Sequence, residues 1–298
     1  MIQIDTEDYR SIWGWLRDVA FCQRWIDVDG VSTRVVTAGP EDKPALVMLH
    51  GTGGHWEAYA PNLKALSQHF RCICLDMVGN GFSDKPDYPY ETFVYVRHLT
   101  RALDVLGVEK TSLIGMSLGA WVAARFALEQ PQRTEKVILM SPAGLVARAE
   151  NMARIKRQRT AAVDNPDWET IKAMFVHLIA DEKNRIPDII ALRQAIYRMP
   201  ETRNTVQHML ALQEPETRKR NLLTEEQWRS IQAPTLVVAS GKDYAEYEST
   251  ARRILKLLPN SQVLEMPHVA HWPNFEDPEF FNKAALEFLL DGGVQVAG

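Results

Sequence analysis

Cysteine is scarce in this chain. Three residues in 298 are too few for a disulfide framework. Cys72 and Cys74 alternate within one strand-like run, where their side chains share a face without the geometry of a bridge. All three cysteines are expected to be reduced thiols in the core. No uninterrupted apolar run reaches the ~18 residues of a membrane span. Near the start, Asp5, Glu7 and Asp8 stand where a signal peptide carries positive charge, and Arg17 and Asp18 interrupt the apolar stretch that follows. These absences point to a cytoplasmic protein with no membrane partner. Positive charge is not in excess either: 34 Lys and Arg against 38 Asp and Glu leave −4, and the pI is about 6.1. There is no broad basic field to collect nucleic acid. Local basic runs do occur, Arg148 to Arg159 and Arg218 to Arg220. They read as solvated helix faces, the first placed to guide an anionic substrate. His-Glu-x-x-His and comparable metal spacings are missing, as are internal repeats and low-complexity tracts. Neither a metal nor an organic cofactor is expected.

What is present centres on Leu113-Ile-Gly-Met-Ser-Leu-Gly-Ala-Trp121, a Gly-x-Ser-x-Gly pentapeptide between an apolar strand-like segment and an alanine-rich helical one. In that context the serine sits on a tight strand-to-helix turn, with Gly115 and Gly119 letting the two elements approach closely. Ser117 is the candidate nucleophile. A serine hydroxyl needs a histidine base and an acid that orients it. Thr235 to Ala239 reads as a buried strand that delivers Asp243 at its end, and the run Gln262 to Met266 leads to His271. The competing reading makes Asp243 a loop or cap aspartate and His271 a solvated loop residue.

After the strand Ala45 to Leu49 comes His50-Gly51-Thr52-Gly53-Gly54-His55, whose glycines suit backbone amides aimed at a developing oxyanion. The amides of Thr52 and Leu118 are assigned that role, with Gly51 beside the substrate. A phosphate-cradling loop would require the Walker lysine or dinucleotide spacing, and neither is there. His50 is expected to hold the loop through hydrogen bonds, and His55 to face the pocket or solvent.

Strand-like runs recur near Trp25 and over 33–38, 45–49, 71–75, 111–114, 136–140, 235–239 and 262–266. The pattern predicts an α/β fold, a doubly wound and mostly parallel sheet. From Gly144 to about Trp228 the strand signal stops, and amphipathic segments punctuated by Pro166, Pro187, Pro200 and Pro215 take over. The expected division is a core of residues 1–144 and 229–298 with a helical cap of 145–228 that roofs Ser117. An aromatic cluster, Tyr9, Trp13, Trp15, Phe21 and Trp25, is assigned to core packing, with a subunit contact in a homo-oligomer as the alternative.

The order Ser, Asp, His, the segment Leu75 to Pro86 and the segment Phe275 to Phe280 together resemble the α/β-hydrolase family over nearly the full chain. Members such as haloalkane dehalogenases and epoxide hydrolases carry aspartate at the elbow, so Ser117 sets this chain apart from them. Among serine members it most resembles the hydrolases that cleave carbon-carbon bonds in meta-cleavage products of aromatic degradation. Trp272 after His271, the run Met140 to Gly144 and the run Ile189 to Glu201 carry that resemblance. It implies that Arg193 meets the polar end of a dienoate, a task suited to a guanidinium that can hold a carboxylate through two hydrogen bonds. Trp272 and Met116 are implied to contact substrate as well. The family's asparagines are replaced by Met116 before the nucleophile and by Ala58 in the oxyanion-side loop. The expected activity is hydrolysis of a 2-hydroxy-6-oxohexa-2,4-dienoate type compound. An esterase or lactonase with the same triad is the second reading, and a hormone-receptor-like ligand binder the third.

Overall fold

The computed structural model describes residues 10–293, so Tyr9 lies outside the described residues. Eight strands form one sheet: β1 (Phe21–Val28), β2 (Val31–Ala38), β3 (Ala45–Leu49), β4 (Arg71–Leu75), β5 (Thr111–Met116), β6 (Thr134–Met140), β7 (Thr235–Ser240) and β8 (Ser261–Met266). Their spatial order is β1-β2-β4-β3-β5-β6-β7-β8. β2 is antiparallel to both neighbours, and the remaining pairs are parallel. Asp29 and Gly30, both at positive φ, make the tight turn between β1 and β2.

Alternation along the central strands sorts their side chains into two cores. Leu46, Met48, Ile114, Met116, Ile138 and Met140 face one layer, while Val47, Leu49, Leu113, Val137 and Leu139 face the other. The helices are α1 (Ile12–Leu16), α2 (Ala60–Leu66), α3 (Thr92–Val105) and α4 (Leu118–Glu129) before the insertion. Within it come α5 (Ala149–Asp164), α6 (Trp168–Phe175), α7 (Pro187–Tyr197), α8 (Pro200–Met209), α9 (Pro215–Asn221) and α10 (Glu225–Arg229). After it come α11 (Ala245–Leu257), α12 (Pro273–Glu276) and α13 (Pro278–Asp291). Residues of α1, α2, α12 and α13 join the first core, and those of α3, α4 and α11 the second. Helices thus cover both faces, as parallel strands require. Between β6 and β7 the described chain contains no strand.

Several expectations need correction. Cys22 is exposed on β1, an edge strand, so it is not a core thiol, although Cys72 and Cys74 are buried on one face. Of the aromatic cluster, Trp15 packs edge-on to Phe275 at 5.1 Å, and Phe21 leans on Trp56. Trp13 and Trp25, however, are 64% and 52% exposed. Arg218 is no solvated helix charge: it is buried, stacks on Trp121 and donates to the carbonyls of Val146 and Leu212. No helix among the described residues is long and apolar enough to cross a membrane.

The tightest point in the fold is where α4 begins. A methyl group on Gly119 would stand 2.0 Å from the Leu49 carbonyl oxygen, and one on Gly115 2.3 Å from the Gly119 carbonyl oxygen. Backbone cannot give way as a flexible side chain does. Gly119→Ala is therefore expected to cost several kcal/mol, on the order of 3, in line with forced overpacking. Chemical denaturation checks this, and a variant within ~0.5 kcal/mol of wild type would refute it.

Candidate active site

The C-terminal ends of β3, β5, β7 and β8 converge on one edge of the sheet, where parallel α/β folds build their sites. Ser117 sits between β5 and α4 with φ 55° and ψ −109°, a conformation that L residues rarely adopt. The close glycine contacts hold it there: its N–H donates to the Met140 carbonyl, and its carbonyl accepts from Trp121 N. Gly51 flanks it, since a methyl group there would lie 3.4 Å from Ser117 Cβ and 3.9 Å from Oγ. Leu118 follows as the first residue of α4, so its N–H has no partner inside the helix. Thr52 and Leu118 line a small hollow beside Ser117.

Asp243 and His271 meet across the loops after β7 and β8. The imidazole Nδ1 lies 3.0 and 3.1 Å from the two Asp243 carboxylate oxygens. Both side chains are buried, and Asp243 also accepts from Tyr244 N at 2.8 Å. The Tyr247 ring packs on the His271 ring with centroids 4.5 Å apart. Two groups that the sequence reading missed secure this loop. Ser141 Oγ donates to the His271 carbonyl. Glu276 accepts from Ala270 N and, on its other oxygen, from Ala180 N in the insertion. Burial pushes the Glu276 carboxyl up, against those hydrogen bonds. The segment Phe275 to Phe280 held the signal for Glu276, but as a marker of fold rather than of position.

The two neighbouring histidines do other work. His50 Nδ1 donates to the Gly51 carbonyl at 2.8 Å, and Nε2 accepts from Met77 N at 3.0 Å. That pair of bonds fixes a neutral tautomer. Burial drives the group down to about 3, against the pull of the Gly51 carbonyl. His55 faces neither pocket nor solvent, contrary to expectation. It is fully buried, with Nδ1 2.8 Å from Glu57, whose carboxylate accepts from Arg34 at 2.9 and 3.0 Å. Arg34 also donates to Asp76, which accepts from the backbone of Trp56 and Phe82. This buried network ties the loop after β3 to the loop after β4.

A cavity joins the pieces. Gly51, Thr52, Ser117, His271 and Trp272 line it from the sheet side, and Arg154, Arg159, Met174 and Arg193 from the insertion. Trp272 is buried edge-on to Phe175 and Phe275. At the rim the Arg154 guanidinium stacks on Tyr244 at 3.8 Å, beside His177. The open space is only about 40 Å³. Met116 does not line it: its place on β5 turns the side chain into the core with Ile114 and Met140. Arg193 is 1% exposed and lies near the faces of Phe175 and Tyr197. Its Nε and Nη1 have no hydrogen-bond partner among the described residues, and burial lowers its pKa to about 10 against the opposing pull of Tyr197.

Residues 44–278 match the alpha/beta hydrolase fold family, and the chain belongs to it. It is a hydrolase of that fold. A 2-hydroxy-6-oxo-6-(2'-aminophenyl)hexa-2,4-dienoic acid hydrolase of Metapseudomonas resinovorans is 29% identical over 91% of both chains. A carboxylesterase of Bacillus subtilis is 26% identical over 87% of this chain and 85% of its own. The solved structure of 2-hydroxy-6-oxo-6-phenylhexa-2,4-dienoate hydrolase from Rhodococcus sp. strain RHA1 superimposes with a TM-score of 0.81 at 22% identity. It covers 91% of this chain and 99% of that one, and shows the shared fold.

Two of the buried imidazoles give the fold an acid limit. His50 falls to about 3 and His98, hydrogen-bonded to Thr33 Oγ1, to about 4, burial being the main cause for each. The unfolded chain takes up these protons near pH 6.5 and the folded chain resists them. Stability is therefore complete above about pH 6.5 and is lost as pH falls toward 4, by up to ~1.4 kcal/mol per pH unit for each group. Urea unfolding at pH 7, 5.5 and 4 is expected to show that decline, with a shallower slope in His98→Gln. An identical slope in that variant would remove His98 from the account.

Proposed function

We propose that this hydrolase cleaves a carbon-carbon bond in a vinylogous diketone, a ring-fission product of the 2-hydroxy-6-oxohexa-2,4-dienoate type. Arg193 carries the reading: a buried guanidinium without an ion pair among the described residues shares a small cavity with Ser117 and His271. A substrate carboxylate supplies the charge that this cation lacks. The dienoate hydrolase relative supports the same chemistry.

In this mechanism the helices of the insertion act as a cap over Ser117. Asp243 accepts from His271 Nδ1, which leaves Nε2 free to move protons. His271 assists ketonisation by shifting the enol proton to the carbon chain. Ser117 then attacks the remaining ketone or activates water to do so, and the amides of Thr52 and Leu118 receive the oxyanion. The bond between that carbonyl carbon and the newly protonated carbon breaks, and water completes release of a dienoate and a carboxylic acid. Trp272 forms an apolar wall of the cavity. Esterase or lactonase activity is the second reading, favoured by the carboxylesterase relative.

Turnover of a yellow ring-fission dienol against aryl esters and lactones, compared as kcat/KM, decides between the readings. The dienol is expected to be preferred, and Arg193→Gln to lower the dienol-to-ester ratio by about 30- to 1000-fold, the cost of truncating a desolvated charged contact. An unchanged ratio removes Arg193 from recognition and favours the esterase. Ser117→Ala is expected to lower kcat by roughly 10⁴-fold or more with the melting temperature retained. Near-normal turnover in that variant would end the assignment of the nucleophile.

A further inference from the structure

Arg193 does not stand alone. Arg159 of α5 is nine-tenths buried, lines the same cavity and forms no ion pair among the described residues. Its Nε and the Nε and Nη1 of Arg193 are buried without a hydrogen-bond partner among the described residues, while Tyr197, behind the cavity lining, favours the charged form of Arg193. They gather around one cradle. A methyl group on Gly53 would stand 2.5 Å from Tyr197 Oη and 3.6 Å from Arg159 Nε, and the charge of Arg159 acts directly on Arg193. Nearby carboxylates are already engaged, Glu57 by Arg34 and His55, and Asp243 by His271. Burying one unpaired cation is costly, and burying two side by side costs more because like charges repel. One carboxylate satisfies one guanidinium fork, which leaves the other uncompensated.

We infer that this end of the cavity is a two-arginine receptor for a vicinal dianion, a carboxylate with a second anionic oxygen on the adjoining carbon, and that Arg159 selects for the second charge. The inference deepens the proposed function and rests on it for the identity of the substrate, since a ring-fission dienol carries a hydroxyl next to its carboxylate and a second guanidinium favours its ionised form.

Oxalate and glycolate provide the test, because both present a carboxylate but only oxalate carries a second anionic group beside it. Dissociation constants are measured by tryptophan fluorescence at low ionic strength. Wild type is expected to bind oxalate about tenfold or more tighter than glycolate. In Arg159→Gln that ratio collapses toward unity, and in Arg159→Lys part of it survives because the charge remains. Melting temperatures identify a variant that fails to fold, and in that event Arg159→Lys alone still reads the charge dependence against Arg159→Met. Equal binding of the two anions by wild type, no oxalate binding at millimolar concentration, or an unchanged ratio in Arg159→Gln overturns the inference. Dienol turnover is scored separately: if no ring-fission dienol is cleaved while the oxalate ratio holds, the substrate reading fails and the receptor stands.

Discussion

The site depends on two backbones lying closer together than any side chain allows. Where α4 leaves β5, Gly119 rests against the carbonyls of Leu49 and His50, and Gly115 against Gly119 itself. That contact fixes the angle of the turn, and the turn forces Ser117 into its left-handed conformation. The same contact brings the end of β3 beside the serine, so the loop with Gly51 and Thr52 has no freedom to drift away. Strain at one residue is thus maintained by packing spread over three elements.

Around that point the charges are divided by location. On the sheet side, cations and anions are matched: Arg34 with Asp76 and Glu57, His55 with Glu57, His271 with Asp243. The hydrogen bonds from His55 and the charge of Arg34 hold the Glu57 carboxyl down to about 2 even though burial opposes it. On the insertion side, Arg159 and Arg193 form no ion pair among the described residues. Satisfied networks rigidify, and a buried unsatisfied group calls for an explanation. The candidate triad sits among the matched groups, and the two arginines on helices that the sheet does not need for its own pairing.

The parallel sheet was legible because its strands alternate so regularly, and the triad candidates because each stands just past a strand end. The misreadings have local causes. His55 looked free because its partner Glu57 is paired through Arg34, which lies on β2, far away in sequence. Apolar character does not by itself place a residue inside: Cys22 and Trp25 lie on β1, an edge strand, and Trp13 is off the face of α1 that buries Ile12 and Leu16. Arg159 was hidden within a basic run. Yet it shares a helical stripe with Met152, Ala162 and Val163, all buried, and that spacing marks it as inward-facing. Arg193 lies likewise in register with Ile189, Ile196 and Tyr197. Whether such a cation is paired cannot be told from periodicity, because the partner, or its absence, is a tertiary fact.

The cavity described around Ser117 has room for a few water molecules but not for a six-carbon chain with its end groups. An enzyme with so little space at rest must breathe in order to work. Arg154 and Tyr244, stacked at 3.8 Å beside the cavity, are two side chains whose rearrangement enlarges it. A compound shaped to the resting interior is therefore very small, and a larger inhibitor spends part of its binding energy on making room.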